Sequence, residues 1–515
     1  MIPDFFDRST GKLVGQTKLT SPADVKSILY RAREAQPKWQ ALPLPHRRMI
    51  CSIFAAKLYE HKDYLTRLIT QENGKPAVEV YTSEIIPSID LVRYTTRRAS
   101  KVLAPRRVTI GIPLLKTKKA FIKYEPHGVV GIISAWNYPL LLPVGQVVPA
   151  LISGNAVIFK PSEYTPLVGD MVAELLWQSG VPEDVLNIIH GGAEVGSALV
   201  KSGVDKIFFT GSTQTGRKIS SMAAESLTPV SLELGSKDAM IVLDDADLDA
   251  TASGAIWGAF TNAGQTCVSV ERCYVHEKIF DSFLQSLREK VHRLRVRRDE
   301  SDMYDIGAII HEAQFNLIKS HIDDAVRRGA KLVEGGQYTT EKGIHYITPA
   351  ILTDVPPDSP LLVDETFGPV LPVIKFKSDD EAVRLANSSR FGLSASVWTA
   401  DRKRGLKICD KLKAGAVVLN DVISYYGMSD GVVGGVKESG SGRVHGEEGL
   451  HEMVTAKYFE IERMRRTKKT WWYSYDLHTR LFFENAIDFL YSKNMLRKMR
   501  AIGKMILNFL RMKKI

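Results

Sequence analysis

One cysteine of this sequence stands in a segment that suits covalent catalysis. Cys267 lies in the run TNAGQTCVSVER, residues 261–272, where small residues flank it on both sides. A thiolate adds to an electrophilic carbon when its sulfur is accessible and the neighbouring side chains leave room for the substrate. Cys267 is therefore a candidate nucleophile, and the alternative is a small buried apolar residue, which is what most cysteines are. That second interpretation is the one we give to Cys51, Cys273 and Cys409.

A carboxylate between two leucines is the second candidate for chemistry. Glu233 stands in SLELGSK, directly after a β-like run. A carboxyl group held among apolar side chains has a raised pKa and can act as a general base near neutral pH. The alternative is a structural carboxylate in the turn before Lys237.

Two predicted strand ends could hold parts of a nucleotide. The turn after KIFFT contains Gly211 and Gly216, and it opens a helix whose N–H groups could bind phosphate. Its spacing matches neither the dinucleotide fingerprint nor the P-loop, so an ordinary tight turn remains open. In FKPSE, 159–163, Lys160 and Glu163 could bind the two hydroxyls of a ribose, and the carboxylate disfavours a 2′-phosphate. An exposed ion pair is the alternative there.

The elements that must position these residues alternate between helix and strand. Residues 21–103 repeat apolar residues every three or four positions, which predicts helices. Between Lys123 and His190, short β-rich runs alternate with helical stretches, as in a parallel sheet with crossover helices. The same alternation of β-rich runs and helical stretches resumes after about residue 236. We therefore predict an α/β fold with a second α/β domain in that part of the chain.

Composition narrows the class of protein. The chain has 515 residues, 44% hydrophobic and 25% charged, which excludes disordered, collagen-like and disulfide-scaffold proteins. Four cysteines without C-x-x-C spacing indicate a reducing, cytoplasmic environment. The start MIPDFFDRSTGK predicts no secretory signal, and the apolar runs are too short to span a bilayer. We expect a protein that is soluble or lies on a membrane surface.

The positive charge is confined to the C-terminal segment. Residues 463–515 carry fourteen Lys/Arg and three Asp/Glu, so they account for the whole formal net charge of +11. No zinc-finger spacing or RNA-recognition motif accompanies this charge, and we predict no nucleic-acid partner. From Phe482 onward, apolar residues recur every three or four positions, which predicts an amphipathic helix. Upstream, RRTKKTWWYSY joins basic residues to interfacial aromatic ones.

This pattern predicts that residues 464–515 lie on an anionic membrane surface. A tail that packs over a neighbouring subunit or over the substrate entrance is the alternative.

Taken together, the motifs resemble the aldehyde dehydrogenase superfamily over roughly residues 20–460. The matching segments are SAWNYP (134–139), FKPSE (159–163), FFTGST (208–213), LELGSK (232–237), GQTC (264–267), ETFGPV (365–370), NSSRFGLSASVW (387–398) and GGVKESGSGR (434–443). The resemblance implies two Rossmann-type α/β domains and a small β oligomerisation element that joins a homodimer or homotetramer. The implied boundaries are 1–108 and 128–236 for the cofactor domain, 237–430 for the catalytic domain, 109–127 and 431–462 for the oligomerisation element, and 463–515 for the tail.

The resemblance also implies a mechanism. Cys267 would add to the aldehyde carbon, and Asn137 with the Cys267 N–H would hold the oxyanion. Hydride would pass to a nicotinamide, and Glu233 would activate the water that hydrolyses the thioester. No metal is implied. The implied cofactor contacts are Trp136, Lys160, Ser162, Glu163, Gly211, Ser212, Gly216, Glu365 and Phe367. Glu163 favours NAD, with NADP as the alternative.

Two departures and two rival functions accompany this resemblance. Ser236 replaces the second glycine usual in ELGGK, and Ala135 replaces a common proline. A coenzyme-A-acylating enzyme is one rival, which Glu233 opposes because a water-activating base would waste the thioester. A catalytically silent scaffold is the other, which the complete set of Asn137, Glu233 and Cys267 opposes.

The substrate expected from the sequence is a hydrophobic aldehyde, aliphatic of medium or long chain or aromatic. The matched motifs contain no cationic cluster that suggests a substrate carboxylate, so semialdehydes rank lower. The aromatic residues expected near the substrate are Trp136, Tyr138, Trp257, Phe260, Tyr425 and Tyr426.

Overall fold

The computed structural model describes residues 4–8, 10–296, 303–464 and 468–512. The chain divides into two compact units. The large unit comprises Met1–Ala104 and Tyr124–Ala456, and the small unit comprises Pro105–Lys123 and Lys457–Ile515.

The helices of the described residues fall mainly in the large unit. In chain order they are α1 Val25–Ala41, α2 Leu44–Glu60, α3 Lys62–Asn73, α4 Ala77–Val80, α5 Ile86–Val102, α6 Leu141–Ser153, α7 Pro166–Gln178, α8 Ala193–Lys201, α9 Thr213–Ala224, α10 Leu248–Phe260, α11 Phe280–Val291, α12 Glu312–Arg327, α13 Pro360–Val363, α14 Asp379–Asn387, α15 Arg402–Cys409, α16 Gly446–His451, α17 Leu477–Tyr491 and α18 Met495–Arg511.

The strands are mostly short, and those at the sheet centres are fully buried. In chain order they are β1 Asp4–Phe6, β2 Leu13–Gln16, β3 Arg106–Val108, β4 Lys118–Pro126, β5 Val129–Ile133, β6 Ala156–Lys160, β7 Leu186–Ile188, β8 Lys206–Thr210, β9 Val230–Glu233, β10 Asp238–Val242, β11 Val270–His276, β12 Lys331–Glu334, β13 Tyr338–Glu341, β14 Ile344–Ile347, β15 Ala350–Thr353, β16 Val370–Phe376, β17 Ser394–Trp398, β18 Ala416–Leu419, β19 Gly440–Ser441 and β20 Val454–Glu462.

The first sheet of the large unit has six strands among the described residues. Their order is β19-β9-β8-β5-β6-β7, parallel except for the edge strand β19. The central strands β5, β6 and β8 are buried along their whole length. A parallel sheet is covered by helices on both faces, which explains why these strands are continuous apolar runs without alternation. Helices α1 to α5, within the region predicted as helical, precede this sheet in the chain.

The second sheet of the large unit has seven strands in the described part of the chain. Their order is β12-β15-β16-β11-β10-β17-β18, and only the β12–β15 pair is antiparallel. Helices α10 to α12 pack on one face through a large apolar cluster, and α14 and α15 pack on the other through a smaller one. The large unit therefore contains two α/β layers, as the sequence predicts.

The small unit holds β3 and most of β4 and β20, in a three-stranded sheet ordered β20-β4-β3. It also holds two helices where the sequence predicts an amphipathic helix. The break falls at 492–494 because Ser492 is extended and the Asn494 side chain accepts from the Arg497 N–H, which caps α18. Arg465 and Arg466 of the predicted basic cluster lie outside the described residues. Among those described, no helix is both long and apolar enough to cross a bilayer.

Candidate active site

The predicted nucleophile follows an unusual turn at the end of α10. Residues Thr261–Gly264 form a short 3₁₀ turn in which Asn262, Ala263 and Gly264 all have left-handed backbone angles, with φ of 52°, 55° and 70°. Non-glycine residues adopt this region only where the surroundings fix it. At Gly264, a Cβ would overlap the carbonyl of Gly368, so only glycine fits. Cys267 follows this turn by three residues and is partly exposed.

A buried carboxylate holds this turn. The Glu79 side chain accepts hydrogen bonds from the Thr261 hydroxyl at 3.1 Å and from the Asn262 N–H at 2.8 Å. The Asn262 amide in turn donates to the Asn137 carbonyl at 3.0 Å and to the Gln265 carbonyl at 3.2 Å. These bonds offset the strain of the left-handed residues, because they give the polar groups of the turn fixed partners. They also tie the nucleophile's loop to the loop that carries Asn137.

The predicted oxyanion-binding residue is fixed from two sides. The Asn137 amide donates to the Gln265 carbonyl at 3.2 Å, and an amide nitrogen has a second hydrogen to offer. The backbone carbonyl of Asn137 accepts from the Lys75 ammonium at 2.7 Å. Lys75 pairs with Glu84 at 2.9 Å, and both side chains are completely buried. Glu84 also accepts from the N–H groups of Leu140 and Leu141, just before and at the start of α6.

Cys267 stands between two cavities of the large unit. One cavity, of about 600 Å³, is lined by Cys267 together with most of the residues predicted to hold the cofactor. The other, of about 370 Å³, is lined by Cys267 and mostly apolar side chains. Tyr426 is the second residue common to both linings. A nucleophile with this placement can meet a substrate from one side and a cofactor from the other.

The predicted base lies in the larger of these cavities. Glu233 is the last residue of β9, where it pairs with Thr210 of β8 and Gly440 of β19. Burial raises the pKa of its carboxyl to about 8, against a smaller opposite effect of the Arg443 charge. A carboxyl group with such a pKa exchanges protons near neutral pH, as a general base must.

Burial also raises the pKa of the Cys267 thiol, and the nearby carboxyls of Glu233 and Glu365 raise it further. The thiolate character that a nucleophile needs is therefore not supplied by these neighbours. The thiol must pass its proton to a base during the addition. Glu233 is suited to accept it, because it lines the same cavity.

The predicted ribose and phosphate positions lie at the ends of β6 and β8. The Lys160 ammonium is 3.6 Å from the Glu163 carboxylate and donates to the Pro161 carbonyl at 3.2 Å. Ser212 caps α9 by accepting from the Thr215 N–H, which fixes where that helix begins. Both groups line the 600 Å³ cavity. The carboxyl ends of parallel strands are where nucleotides bind in α/β sheets.

Glu365 and Phe367 reach the same cavity on the loop before β16. The Glu365 carboxylate accepts from the Ser236 N–H at 2.8 Å, and burial raises its pKa to about 8. The Phe367 ring meets Trp136 edge to face, with centroids 5.5 Å apart. The loop is held by Glu271, whose carboxylate accepts from the N–H groups of Thr366 and Phe367 at 2.8 and 2.9 Å. Lys237 forms a buried ion pair with Glu271.

The residues present fit a dinucleotide cofactor. The cavity joins a ribose-type Lys160–Glu163 pair, the N-terminus of α9 and an aromatic pair near Cys267. Its wall includes Gly192, Gly196 and Gly211, where the chain presents backbone without side chains. Phosphate groups are favoured at such a helix N-terminus because its N–H groups and dipole face them.

The structure brings together nearly all the predicted site residues. The 600 Å³ cavity is lined by Trp136, Asn137, Lys160, Ser162, Glu163, Gly211, Ser212, Glu233, Cys267, Glu365 and Phe367. Gly216 is not in this lining. It lies within α9, where a Cβ would collide with the side chain of Leu234, the residue after β9, so glycine allows close packing there. Its contact with the cofactor stays a prediction.

The smaller cavity contains part of the predicted aromatic set. Its lining includes Tyr138, Trp257 and Tyr426, whereas Trp136 lines the larger cavity. Phe260 is instead buried in the core of the second sheet, and Tyr425 packs against the core of the first. Neither residue is in the lining of the smaller cavity, and their expected position near the substrate stays a prediction.

The sequence did not predict the residues that support the site, namely Lys75, Glu79, Glu84 and Glu271. Each pairs with groups far along the chain, as when Glu79 binds Asn262. The available signal was weak: Glu271 is the first charged residue after the uncharged run 261–270, and nothing in the local sequence marks Lys75.

The chain is similar to known proteins over most of its length. The model of the aldehyde dehydrogenase family matches residues 3–459. A protein of Methylomonas sp. named 4,4′-diapolycopene aldehyde oxidase is 36% identical over 94% of this chain and 90% of its own length. A putative NADP⁺ succinate-semialdehyde dehydrogenase of Mycolicibacterium smegmatis is 36% identical over 88% of both chains.

Among solved structures, an NAD-dependent aldehyde dehydrogenase from Sinorhizobium meliloti superposes with a TM-score of 0.86. It is 34% identical in sequence, and the match covers 91% of this chain and 93% of the other.

Proposed function

This chain belongs to the aldehyde dehydrogenase family and is an NAD(P)-dependent enzyme, and we propose that it oxidises a hydrophobic aldehyde to the carboxylic acid. The observation that carries this proposal is the apolar cavity that ends at Cys267. The proposed roles are nucleophile for Cys267, oxyanion donor for Asn137 and general base for Glu233.

The first half of the proposed reaction forms a bond to sulfur. Cys267 loses its thiol proton to Glu233 and adds to the aldehyde carbon, so the carbonyl oxygen becomes an oxyanion. The amide hydrogen of Asn137 that is not bonded to Gln265 donates to this oxyanion, together with the Cys267 N–H. Each such donor is worth roughly 3–4 kcal/mol of transition-state stabilisation.

The second half releases the acid. NAD(P) supplies the acceptor for the hydride that leaves the sulfur-bound carbon, and a thioester on Cys267 remains. Glu233 first releases to the solvent the proton that it took from the thiol. It then takes a proton from water, the hydroxide adds to the thioester carbon, the carbon–sulfur bond breaks, and the departing Cys267 thiolate takes that proton back from Glu233. The acid departs and the Cys267 sulfur is restored for the next cycle.

The chemistry of the smaller cavity supports a hydrophobic substrate. Its walls include Leu141, Val268 and Ile423. Three apolar side chains of the lining are themselves exposed, Ile86 at 62%, Trp257 at 43% and Met428 at 55%. Exposed apolar side chains around a cavity are typical of a surface that receives an apolar ligand.

The same lining opposes a substrate that carries a carboxylate. Its charged member is Asp90, and no lysine or arginine of the described chain contributes to it. A buried carboxylate without a cationic partner is costly to desolvate, and Asp90 would add repulsion. We therefore favour a substrate closer to that named for the diapolycopene aldehyde oxidase than to the one named for the succinate-semialdehyde dehydrogenase.

We propose NAD as the preferred cofactor. The Glu163 carboxylate is about half exposed beside Lys160, at a position suited to the hydroxyls of a ribose. A carboxylate there repels a 2′-phosphate, so NADP would bind less tightly. The proposed role of Glu233 as a water-activating base opposes the coenzyme-A-acylating rival. The presence of Asn137, Glu233 and Cys267 in the lining of one cavity opposes the catalytically silent scaffold.

Two associations of the enzyme are also proposed. β20 is an edge strand of the small unit's sheet, and its side chains are mostly exposed. Such an edge pairs readily with another strand, which supports a homodimer or homotetramer. We further propose that residues 464–515 attach the enzyme to an anionic membrane surface, because this segment carries the chain's charge excess.

A comparison of aldehydes tests the proposed activity. Decanal and benzaldehyde should give a higher kcat/KM than succinic semialdehyde, and NAD a higher value than NADP. NADH formation should not require coenzyme A, and the acid should accumulate. Preference for succinic semialdehyde would refute the assignment of the substrate cavity, and dependence on coenzyme A would favour the acylating rival.

A further inference from the structure

The two tail helices form an antiparallel hairpin within the small unit. Phe482 and Ala486 of α17 and Ala501 of α18 are buried at 7%, 2% and 2% exposure. Near one end, the His478 ring donates to the Asn508 side-chain oxygen at 3.0 Å. Near the other, Arg497 pairs with Asp488 at 3.0 Å. The hairpin therefore has its own small core, which uses only one face of α18.

A second face of α18 is apolar and exposed. Six large side chains that recur every one to four residues are between 42% and 77% exposed, namely Met495, Met499, Ile502, Ile506, Phe509 and Leu510. Isolated exposed apolar residues are ordinary on protein surfaces, but a continuous stripe marks a surface that binds something.

This stripe borders an apolar groove of about 330 Å³ between the two helices. α17 contributes Phe482 and Phe489 to the groove. The groove is closed on the other side by residues of α18, namely Ile502, Met505, Ile506, Phe509 and Leu510. Because the lining is made of hydrocarbon, aromatic rings and a thioether, the occupant that it favours is an apolar chain.

The third face of α18 is basic. Arg500, Lys504 and Arg511 follow one another every four or seven residues and are exposed. At about 100° per residue they fall nearly opposite Ile506 on the helix circumference. The described residues 468–512 contain nine Lys/Arg and three Asp/Glu. Such a surface is complementary to anionic phosphate groups and repels a second copy of itself.

We propose that this hairpin is the membrane-binding element, with lipid acyl chains in its groove and its basic face at the lipid phosphates. This inference rests on the proposed attachment of residues 464–515 to an anionic membrane. Trp472, Tyr473 and Tyr475, exposed at 53%, 76% and 64%, lie just before α17 and suit the membrane–water interface. The helices lie in the interface and do not cross it.

The consequence for catalysis is local supply of substrate. Hydrophobic aldehydes partition into bilayers for the same reason that the smaller cavity accepts them. An enzyme held at that surface meets them at a higher concentration than in water.

Vesicle flotation of the full-length protein tests the inference. The vesicles are phosphatidylcholine with about 30% phosphatidylserine, compared with pure phosphatidylcholine. One variant replaces the apolar stripe (Ile502→Ser, Ile506→Ser, Phe509→Ser), and another replaces basic residues (Arg500→Gln, Lys504→Gln, Arg511→Gln). All six side chains are exposed, and none of them is among the buried residues of the hairpin core, Phe482, Ala486 and Ala501.

Matched controls make the same chemical changes on exposed positions of the large unit. They are Leu227→Ser, Val326→Ser and Leu406→Ser for the apolar set, and Arg402→Gln, Lys403→Gln and Lys407→Gln for the basic set. All variants should retain wild-type helicity by circular dichroism and wild-type oxidation of acetaldehyde, a small water-soluble substrate.

The wild-type protein and both controls should float with the anionic vesicles. Each basic residue near an anionic surface is worth about fivefold in binding, so the basic variant should bind about a hundredfold more weakly. The loss caused by the basic substitutions should be smaller at about 0.5 M NaCl than at low salt, because salt screens the charges. The apolar variant should lose at least about tenfold in binding both at low salt and at about 0.5 M NaCl.

The outcomes separate the two proposals. Failure of the wild-type protein to float would refute the membrane attachment itself and would leave aldehyde oxidation untouched. Flotation of the apolar variant at the wild-type level would overturn the hairpin inference alone. A change from dimer to monomer in the apolar variant, without wild-type flotation, would assign the stripe to a second copy of the chain.

Discussion

Replacement of Glu233 by glutamine should separate the two halves of the reaction. Glu233→Gln keeps the shape of the side chain and removes its ability to accept a proton. Thioester hydrolysis should therefore slow by about 10²- to 10⁴-fold, the usual contribution of general base catalysis. The Cys267 thiol also loses a proton acceptor, so bond formation to the aldehyde should slow, but less than hydrolysis.

The pKa of Glu233 sets how strongly the rate of thioester hydrolysis should depend on pH. Burial raises the pKa of Glu233 to about 8. About a tenth of the carboxyl groups are then ionised at pH 7 and about nine tenths at pH 9, so hydrolysis should accelerate about tenfold between them. The direction follows from the base form, which is the ionised one and accumulates as pH rises through the pKa. In Glu233→Gln this acceleration should disappear.

Stopped-flow measurement of NADH resolves the two steps. With decanal, the variant should give one equivalent of NADH per active site, followed by a slow steady rate. Glu365→Gln is the control, because burial raises the pKa of Glu365 to about 8 in the same cavity. That control should bind the cofactor less tightly and should keep the pH dependence of hydrolysis. A wild-type hydrolysis rate that is flat from pH 6 to pH 9 would refute the assigned base. An acceleration with pH that persists in Glu233→Gln would refute it as well.

Four further substitutions test the nucleophile, two residues that support the site, and the choice of cofactor. Cys267→Ser should leave at most a few per cent of activity, while Cys51→Ala, Cys273→Ala and Cys409→Ala keep the kcat of folded enzyme; substantial turnover by Cys267→Ser would exclude it as nucleophile. Lys75→Met should destabilise the protein by about 3–5 kcal/mol in urea unfolding, because it leaves the Glu84 carboxylate buried without its partner; an unchanged midpoint would contradict this. Gly264→Ala should lower kcat about 10²-fold, since the added Cβ displaces the loop before Cys267; wild-type kcat would show that the loop tolerates the shift. Glu163→Gln should raise the ratio of kcat/KM for NADP to that for NAD severalfold, and an unchanged ratio would remove Glu163 from cofactor selection.

The proposed reacting residues could be chosen from the sequence because each carries its signal locally. Cys267 lies among small residues, Glu233 among leucines, and the helix after Gly211 begins where Ser212 can cap it. The order of strands and helices was predictable for a similar reason, since buried parallel strands are short apolar runs.

The supporting contacts were not predictable, because they join segments distant in the chain. Glu79 binds the backbone of Asn262, and Lys75 binds the Asn137 carbonyl. Their value depends on burial, which no local pattern reports. The raised pKa of the Cys267 thiol has the same origin, since burial is its largest cause.

The tail shows how local periodicity misleads about packing. Apolar residues at regular spacing predict one amphipathic helix, but Asn494 caps a second helix and the chain folds back. Phe482 then faces the hairpin core while Ile506 faces outward. The spacing identified the apolar residues but did not distinguish those that pack from those left exposed.

The covalent state of Cys267 during turnover tests the central claim most directly. Glu233→Gln should be mixed with NAD and decanal, quenched in acid, digested and examined by mass spectrometry. The peptide that contains Cys267 should carry one decanoyl group per active site, and the peptides of Cys51, Cys273 and Cys409 none. NADH release without an acyl group on Cys267 would contradict the proposed mechanism.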